Sequence, residues 1–257
     1  FAKSIGNSKA AIECYDKMMK LSPIEAYKGK AEIYEILCKF NNAYYGLSTI
    51  YYEKAIKCYN KAIELNPNDI EAYKGKADVY CQLAYNNRYD KEKYYKLAIK
   101  CYDKAIELNP NYTEAYKGKA DAYYQLANNN SSEREKYYNL AIKCYDKAIE
   151  LNPNYTEAYK GKADTYYRKE NYNLAIKCYD KAIKLNPNYT EAYKGKADTY
   201  YIKEDYNLAI ECYDKAIVLE PSSELYYSKC NVLNSLNRKS EADECERKAE
   251  ELKKLGL

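Results

Sequence analysis

The chain has 257 residues, 47% hydrophobic and 31% charged, with 42 Lys and Arg against 38 Asp and Glu for a formal net charge of +4. That balance is too apolar in pattern for disorder, holds no uncharged apolar run approaching the roughly 20 residues of a membrane span, and lacks the basic stripe of a phosphate-backbone binder. Histidine is absent, which removes the commonest general base and zinc nitrogen ligand together, and neither a glycine-rich phosphate loop nor a Cys-x-x-Cys pair occurs, so a non-enzymatic protein with no cofactor and no metal is expected.

Along the chain, residues 8–23 read as the second helix of a partial unit, with Ala11, Ile12, Tyr15, Met18 and Leu21 at helical spacing. Full units follow at 24–67, 70–110 and 113–153, then two more at 156–187 and 190–221. Residues 223–257 form a divergent unit with a C-terminal capping helix, all within one array over 1–257. The closing prolines Pro23, Pro67, Pro110, Pro153, Pro187 and Pro221 are spaced by 44, 43, 43, 34 and 34 residues. The three longer periods place insertions between the two helices of a unit, around Asn41 to Glu53, Tyr85 to Tyr94 and Asn128 to Tyr137. In the third, Ser132-Glu133-Arg134-Glu135 reads as a capping box that opens the second helix early.

The regular unit runs from Thr156 to Asn186 and returns almost unchanged from Thr190, a period of 34. Thr156 is expected to cap its first helix, where Ala158, Tyr159, Ala163 and Tyr166 share one face, and Glu170-Asn171 marks a polar turn. The second helix carries Leu174, Ala175, Ile176, Tyr179, Ala182, Ile183 and Leu185 on its buried stripe. It stops at Asn186-Pro187, because proline cannot donate the next helical bond and restricts the residue before it.

These residues resemble the tetratricopeptide repeat (TPR) family: aromatic at position 4 (Tyr159), small at 8 (Ala163), aromatic at 11 (Tyr166), Ala at 20 (Ala175), aromatic at 24 (Tyr179), Ala at 27 (Ala182) and Pro at 32 (Pro187). The resemblance implies an all-α fold, a right-handed superhelix or α-solenoid of antiparallel helix pairs, acting as a protein-binding adaptor or scaffold. Two positions depart from the family: Lys162 at position 7, often Leu, and Tyr in place of the commoner Trp at position 4. Both keep the bulk, since a lysine stem packs while its ammonium reaches water. In the last unit Glu246 stands where the aromatic of position 24 belongs, followed by Arg247 and Lys248, as suits a terminal capping helix near a natural end. A start at Phe1 leaves open a missing targeting segment, or a larger protein that this array regulates.

In the family, positions 2, 5, 6, 9, 12 and 13 of the first helices face a concave groove. Carried over, the partner-binding candidates are Lys28, Lys74, Lys117, Lys160 and Lys194 at position 5, and Gly75, Gly118, Gly161 and Gly195 at position 6. Asp78, Asp121, Asp164 and Asp198 follow at position 9, then Tyr124, Tyr167 and Tyr201 at position 12. Glu25, Lys28, Gly29, Glu32, Glu35 and Ile36 begin the series. The groove is expected to hold a peptide or protein ligand, its aromatic rungs supplying contact area. The competing reading is a self-neutralising solvated face, since each Lys has an acid four residues later. A mid-helix glycine costs about 1 kcal/mol against Ala; here it clears space for a ligand backbone, allows close packing against the neighbouring first helix, or is simply copied by duplication.

Acids at positions 2 and 9 would repel a C-terminal carboxylate, which argues against the tail of a heat-shock chaperone as ligand. They also argue against nucleic acid, although helical repeats that read RNA keep that alternative open. Exposed tyrosines of the insertions, Tyr85 to Tyr95 and Tyr137-Tyr138, would offer a second surface for a partner or a second copy of the chain. Six cysteines (Cys14, Cys58, Cys101, Cys144, Cys178 and Cys212) recur in the frame Cys-Tyr-(Asp/Asn)-Lys. Equivalent sites in stacked helix pairs stand roughly 10 Å or more apart, too far for disulfides, so reduced packing thiols in a cytoplasm, or in a host cytosol after delivery, are expected.

Overall fold

The computed structural model describes residues 2–40, 45–87 and 89–256. Among the described residues there are thirteen helices and no strand. They are α1 (Ala2–Met18), α2 (Pro23–Phe40), α3 (Tyr45–Leu65), α4 (Ile70–Asn86), α5 (Lys91–Leu108), α6 (Thr113–Asn129), α7 (Arg134–Leu151), α8 (Thr156–Arg168), α9 (Tyr172–Leu185), α10 (Thr190–Ile202), α11 (Tyr206–Leu219), α12 (Ser223–Ser235) and α13 (Lys239–Lys254). None of them is long and apolar enough to cross a membrane.

The helices fall into two compact units, residues 1–151 and 152–257. In the first, α2 packs on α3, α4 on α5 and α6 on α7, and α4 also touches α6; in the second, α8 packs on α9, α10 on α11 and α12 on α13, and α8 also touches α10. Each unit is thus an α-solenoid of antiparallel helix pairs. Alanines with no exposed surface, among them Ala163, Ala175, Ala182 and Ala197, let paired helices approach, and tyrosines such as Tyr145 and Tyr179 fill the space around them. Helices α5 and α9 end before Asn-Pro, and the Asn109 and Asn186 side chains each accept the backbone N–H two residues on, at 3.0 Å.

The two repeat lengths differ by one turn in each helix. Helices α4 and α6 have 17 residues and α5 and α7 have 18, against 13 in α8 and α10 and 14 in α9 and α11. The short repeats close their turn on a left-handed residue, Glu170 at φ 61° and Glu204 at φ 62°. The next backbone N–H then reaches back, Asn171 to the Tyr166 carbonyl at 2.9 Å and Asp205 to the Tyr200 carbonyl at 3.0 Å. In the long repeats the insertion becomes helix. Of the first insertion, residues 41–44 lie outside the described residues, and residues 45–53 belong to α3.

Four local expectations are corrected. Tyr95, Tyr137 and Tyr138 are buried and not exposed, because the added turn packs them with Leu126 and Ala127; Tyr85 and Tyr89, 75% and 96% exposed, remain on the surface. Ser132 does not cap α7, which starts at Arg134. Its hydroxyl instead donates to the Asn130 side chain at 2.8 Å, and that same oxygen accepts the Ser132 and Glu133 N–H groups. Thr156 is the first helical residue of α8 and not its cap: Tyr155 holds the cap position and the Thr156 hydroxyl donates back to the Asn154 carbonyl at 3.4 Å. Leu174 leaves the buried stripe at 42% exposed, since α8 ends a turn sooner than α6, whereas Leu140 of α7 packs into the cluster of Leu126 and Tyr138.

Candidate functional site

The candidate residues sit on the first helix of each pair and are joined to the second helix by a recurring three-part rung. Lys74 pairs with Asp78 at 2.7 Å, one helical turn on, and the hydroxyl of Tyr102 in α5 donates to the same carboxylate at 2.6 Å. Lys117, Asp121 and Tyr145 repeat this at 2.7 and 2.5 Å, and Lys160, Asp164 and Tyr179 at 2.8 and 2.6 Å. In the last rung Tyr213 donates to Asp198, while Lys194 turns to Glu224 at 2.5 Å. The lysine and aspartate side chains of the Lys74, Lys117 and Lys160 rungs keep 24 to 40% exposure, so they are neutralised but reachable.

Burial and charge act together on these groups. Burial opposes the Lys74 ammonium, but the hydrogen bond and charge of Asp78 outweigh it and hold the pKa above the ordinary lysine value. Burial lifts the Asp198 carboxyl above its usual range, against the Tyr213 hydrogen bond and the Lys194 charge. The Tyr102 hydroxyl is pushed well up, first by burial, then by the neighbouring Cys81 and Asp78. These tyrosines stay protonated donors at any ordinary pH.

The position-6 glycines Gly29, Gly75, Gly118 and Gly195 each meet a tyrosine of the preceding repeat's second helix. A Cβ on Gly75 would stand 2.5 Å from the Tyr59 ring, one on Gly118 2.5 Å from Tyr102, and one on Gly195 2.5 Å from Tyr179, with Gly29 still tighter against Tyr15. The room each of these glycines frees is therefore filled by a ring of the preceding second helix, and not by the neighbouring first helix that the close-packing reading names. Gly161 lies in α8, where its carbonyl accepts the Thr165 hydroxyl at 2.8 Å. Tyr124, Tyr167 and Tyr201 are half-buried, each tilted against the first or an early tyrosine of the next helix: Tyr138 at 6.0 Å, Tyr172 and Tyr206 at 5.9 Å.

The opening rung is different. Lys28 bridges Glu25 at 3.0 Å and Asp69 at 3.2 Å, and Tyr59 donates to Glu35 at position 12 instead of the acid at position 9, at 2.8 Å. Residues of α2 and α4, among them Glu25, Glu32, Glu35, Glu71, Lys74 and Asp78, line a cavity of about 640 Å³. A second cavity, of about 450 Å³, opens between α4 and α6, with Tyr52 and Tyr95 from the second helices in its wall.

Sequence reasoning missed a second ladder, made by the position-7 lysines. Lys119 reaches back to Asp103 at 2.5 Å, Lys196 to Asp180 at 2.7 Å and Lys229 to Asp214 at 2.6 Å, and Lys30 pairs with Asp16, each lysine side chain at most 20% exposed. The ammonium also lies over the tyrosine one turn on, 5.7 Å from the Tyr123 ring for Lys119 and 5.6 Å from Tyr200 for Lys196. The signal was present in the Asp of every Cys-Tyr-Asp-Lys frame. The same lysines stand beside recurring thiols, yet burial dominates and pushes Cys144 and Cys212 up to about 11, so these are packed, protonated thiols. None of the ten cysteines forms a disulfide.

Family models described as tetratricopeptide repeat match residues 156–189 and 190–223, and 77–112 and 120–155, and a further TPR repeat model matches 51–83, together more than half of the chain. No curated protein matches. Among solved structures, the chain is similar to MamA (24% identity over 64% of this chain and 92% of that one, TM-score 0.57). It is also similar to YrrB, described as a TPR protein with an unusual peptide-binding site (22%, 88% and 100%, TM-score 0.56), and to TTC0263, a thermophilic TPR protein of Thermus thermophilus (19%, 79% and 98%, TM-score 0.60).

Proposed function

The chain belongs to the tetratricopeptide repeat family, and from that premise we propose that it is a non-enzymatic adaptor whose first helices hold a peptide or protein segment. The observation that carries this reading is that first-helix residues of successive repeats, at the positions the family turns toward its ligands, line two adjoining cavities in residues 1–151. Reachable Lys and Asp side chains at 24 to 40% exposure supply polar contacts on either side of half-buried tyrosines. The peptide-binding site named for YrrB supports the same use of the scaffold. Protonated, disulfide-free thiols suit a reducing compartment such as a cytoplasm.

Reversing Lys117 and Lys160 to Glu places each new carboxylate a turn from Asp121 or Asp164 and removes the rung cation. Affinity capture from the source cell by the intact chain and by this double variant, with helicity checked by circular dichroism, tests the reading. Loss of capture with helicity kept is expected. Unchanged capture would move binding to the long-repeat connections or to the second helices.

A further inference from the structure

The opening rung carries one carboxylate more than the others. In the Lys74, Lys117 and Lys160 rungs a single aspartate at position 9 takes both the lysine and the tyrosine hydroxyl. In α2 the tyrosine is taken by Glu35, and Glu32 at position 9 is exposed with no ion pair among the described residues. The cavity it faces is lined by five carboxylates against two ammoniums. Among the described residues no three acids converge closely enough to hold a metal ion, so the excess charge is spread along a trough. An elongated organic cation satisfies it better than a point ion, and a phosphate backbone is repelled.

Helix α4 carries that trough into a second, independent feature. Its lower half gives Glu71, Lys74 and Asp78 to the acidic cavity, and its upper half gives Cys81, Gln82, Tyr85 and Asn86 to the cavity shared with α6. The second cavity has aromatic walls in Tyr52, Tyr85 and Tyr95, with the amides of Gln82, Asn86 and Gln125 among its lining. Tyr85 is 75% exposed. A flat apolar side chain fits between such rings, and an amide rim suits the peptide backbone that delivers it.

We propose that this groove binds an extended peptide segment with an arginine or lysine at the α2–α4 cavity and an aromatic residue in the α4–α6 cavity. Asp78 and Tyr85 are seven residues apart on α4, about 10 Å along its axis, and one helix-packing step sideways is another 8 to 10 Å. The diagonal, on the order of 15 Å, is spanned by four or five extended residues. This deepens the adaptor reading and rests on it, by stating the chemistry of the ligand.

The test uses fluorescein-labelled Gly-Ser peptides carrying Arg-Arg and Phe at separations of roughly one to eight residues, titrated with the full chain at low salt and read by fluorescence anisotropy. Binding is expected to peak at four or five residues and to weaken at least tenfold when Arg-Arg becomes Glu-Glu, with Glu32→Lys, or with Tyr85→Ser. Both positions are exposed, so circular dichroism should show unchanged helicity in the variants. Indifference to Glu32→Lys, or preference for the acidic peptides, overturns the proposal. If acidic peptides bind and are lost with Lys117→Glu/Lys160→Glu, the adaptor reading survives without it; if no peptide of any charge binds, both fall. A dimer of the unliganded chain, seen by sedimentation and abolished by Glu32→Lys, would make a second copy the occupant and equally overturn it.

Discussion

The long repeats of residues 70–151 and the short repeats of residues 156–219 share one lower storey and differ in the upper one. Tyr102 and Asp78 are 24 residues apart and Tyr179 and Asp164 are 15, yet both pairs close at 2.6 Å. The nine added residues therefore leave the rung untouched. They appear as a further turn on each helix, which covers Tyr95 and Tyr138, each 3% exposed, while the matching Tyr172 and Tyr206 of the short repeats stay half-buried. Position within the helix pair, and not repeat length, decides where variation is tolerated: the rungs are held and the far end is free to grow a second aromatic layer.

The largest test of that division is alkaline pH. Burial first, and neighbouring ionisable groups second, push Tyr52 and Tyr95 up to about 12 and hold Tyr59, Tyr102 and Tyr213 well above the ordinary tyrosine value. A tyrosine raised in the folded state stabilises fully below its unfolded pKa near 10 and progressively less as pH rises through its folded pKa. Each such residue costs about 1.4 kcal/mol per pH unit above 10. Both regions should lose helix between roughly pH 10 and 12, and residues 45–151, with both aromatic layers, should lose it first. Hydrogen exchange by region, run beside tyrosinate absorbance, checks the order, and simultaneous loss would dissolve the distinction.

Smaller effects sharpen it. Tyr138→Ala should cost about 3 kcal/mol and Tyr172→Ala about half of that, read from urea midpoints; equal losses would mean that the extra turn adds no core. Gly118→Ala and Gly195→Ala should destabilise equally, by about 1 to 2 kcal/mol, because the clash with Tyr102 or Tyr179 exceeds the helix-propensity gain. A rise in melting temperature for either would show that its ring can move aside. Glu170→Gly should stabilise by about 0.5 to 1 kcal/mol by relieving the left-handed turn at φ 61°, an effect belonging to the short repeats, which close on such a residue.

The scaffold was legible because its signals are local and repeated. A period of 34, alanines at three fixed positions and Asn-Pro stops specify helix pairs whatever surrounds them. The aspartates of the candidate site could be placed on the same face as Lys74 and Lys117, since a separation of four is one helical turn. What escaped were contacts whose partner lies on another helix. Nothing within the run of α6 says that Gly118 receives the Tyr102 ring, or that Lys119 reaches Asp103, sixteen residues back. Competing turn chemistry accounts for the caps: Asn130 takes the Ser132 hydroxyl, and Thr156 donates backward from inside the helix.

The tyrosine seated on the next repeat's glycine behaves as a plug in a socket, and both halves are the same at the α5–α6 and α9–α10 joints. Since the long unit of α5 ends in the same plug as the short unit of α9, and α6 and α10 begin with the same socket, long and short units are interchangeable parts. An array could be lengthened, shortened or reordered by cutting within the Asn-Pro-Asn turns, without redesigning a single interface. A duplicated gene segment would insert a working unit at once, and a chimera that places a 43-residue unit after a 34-residue one should fold as the parent does.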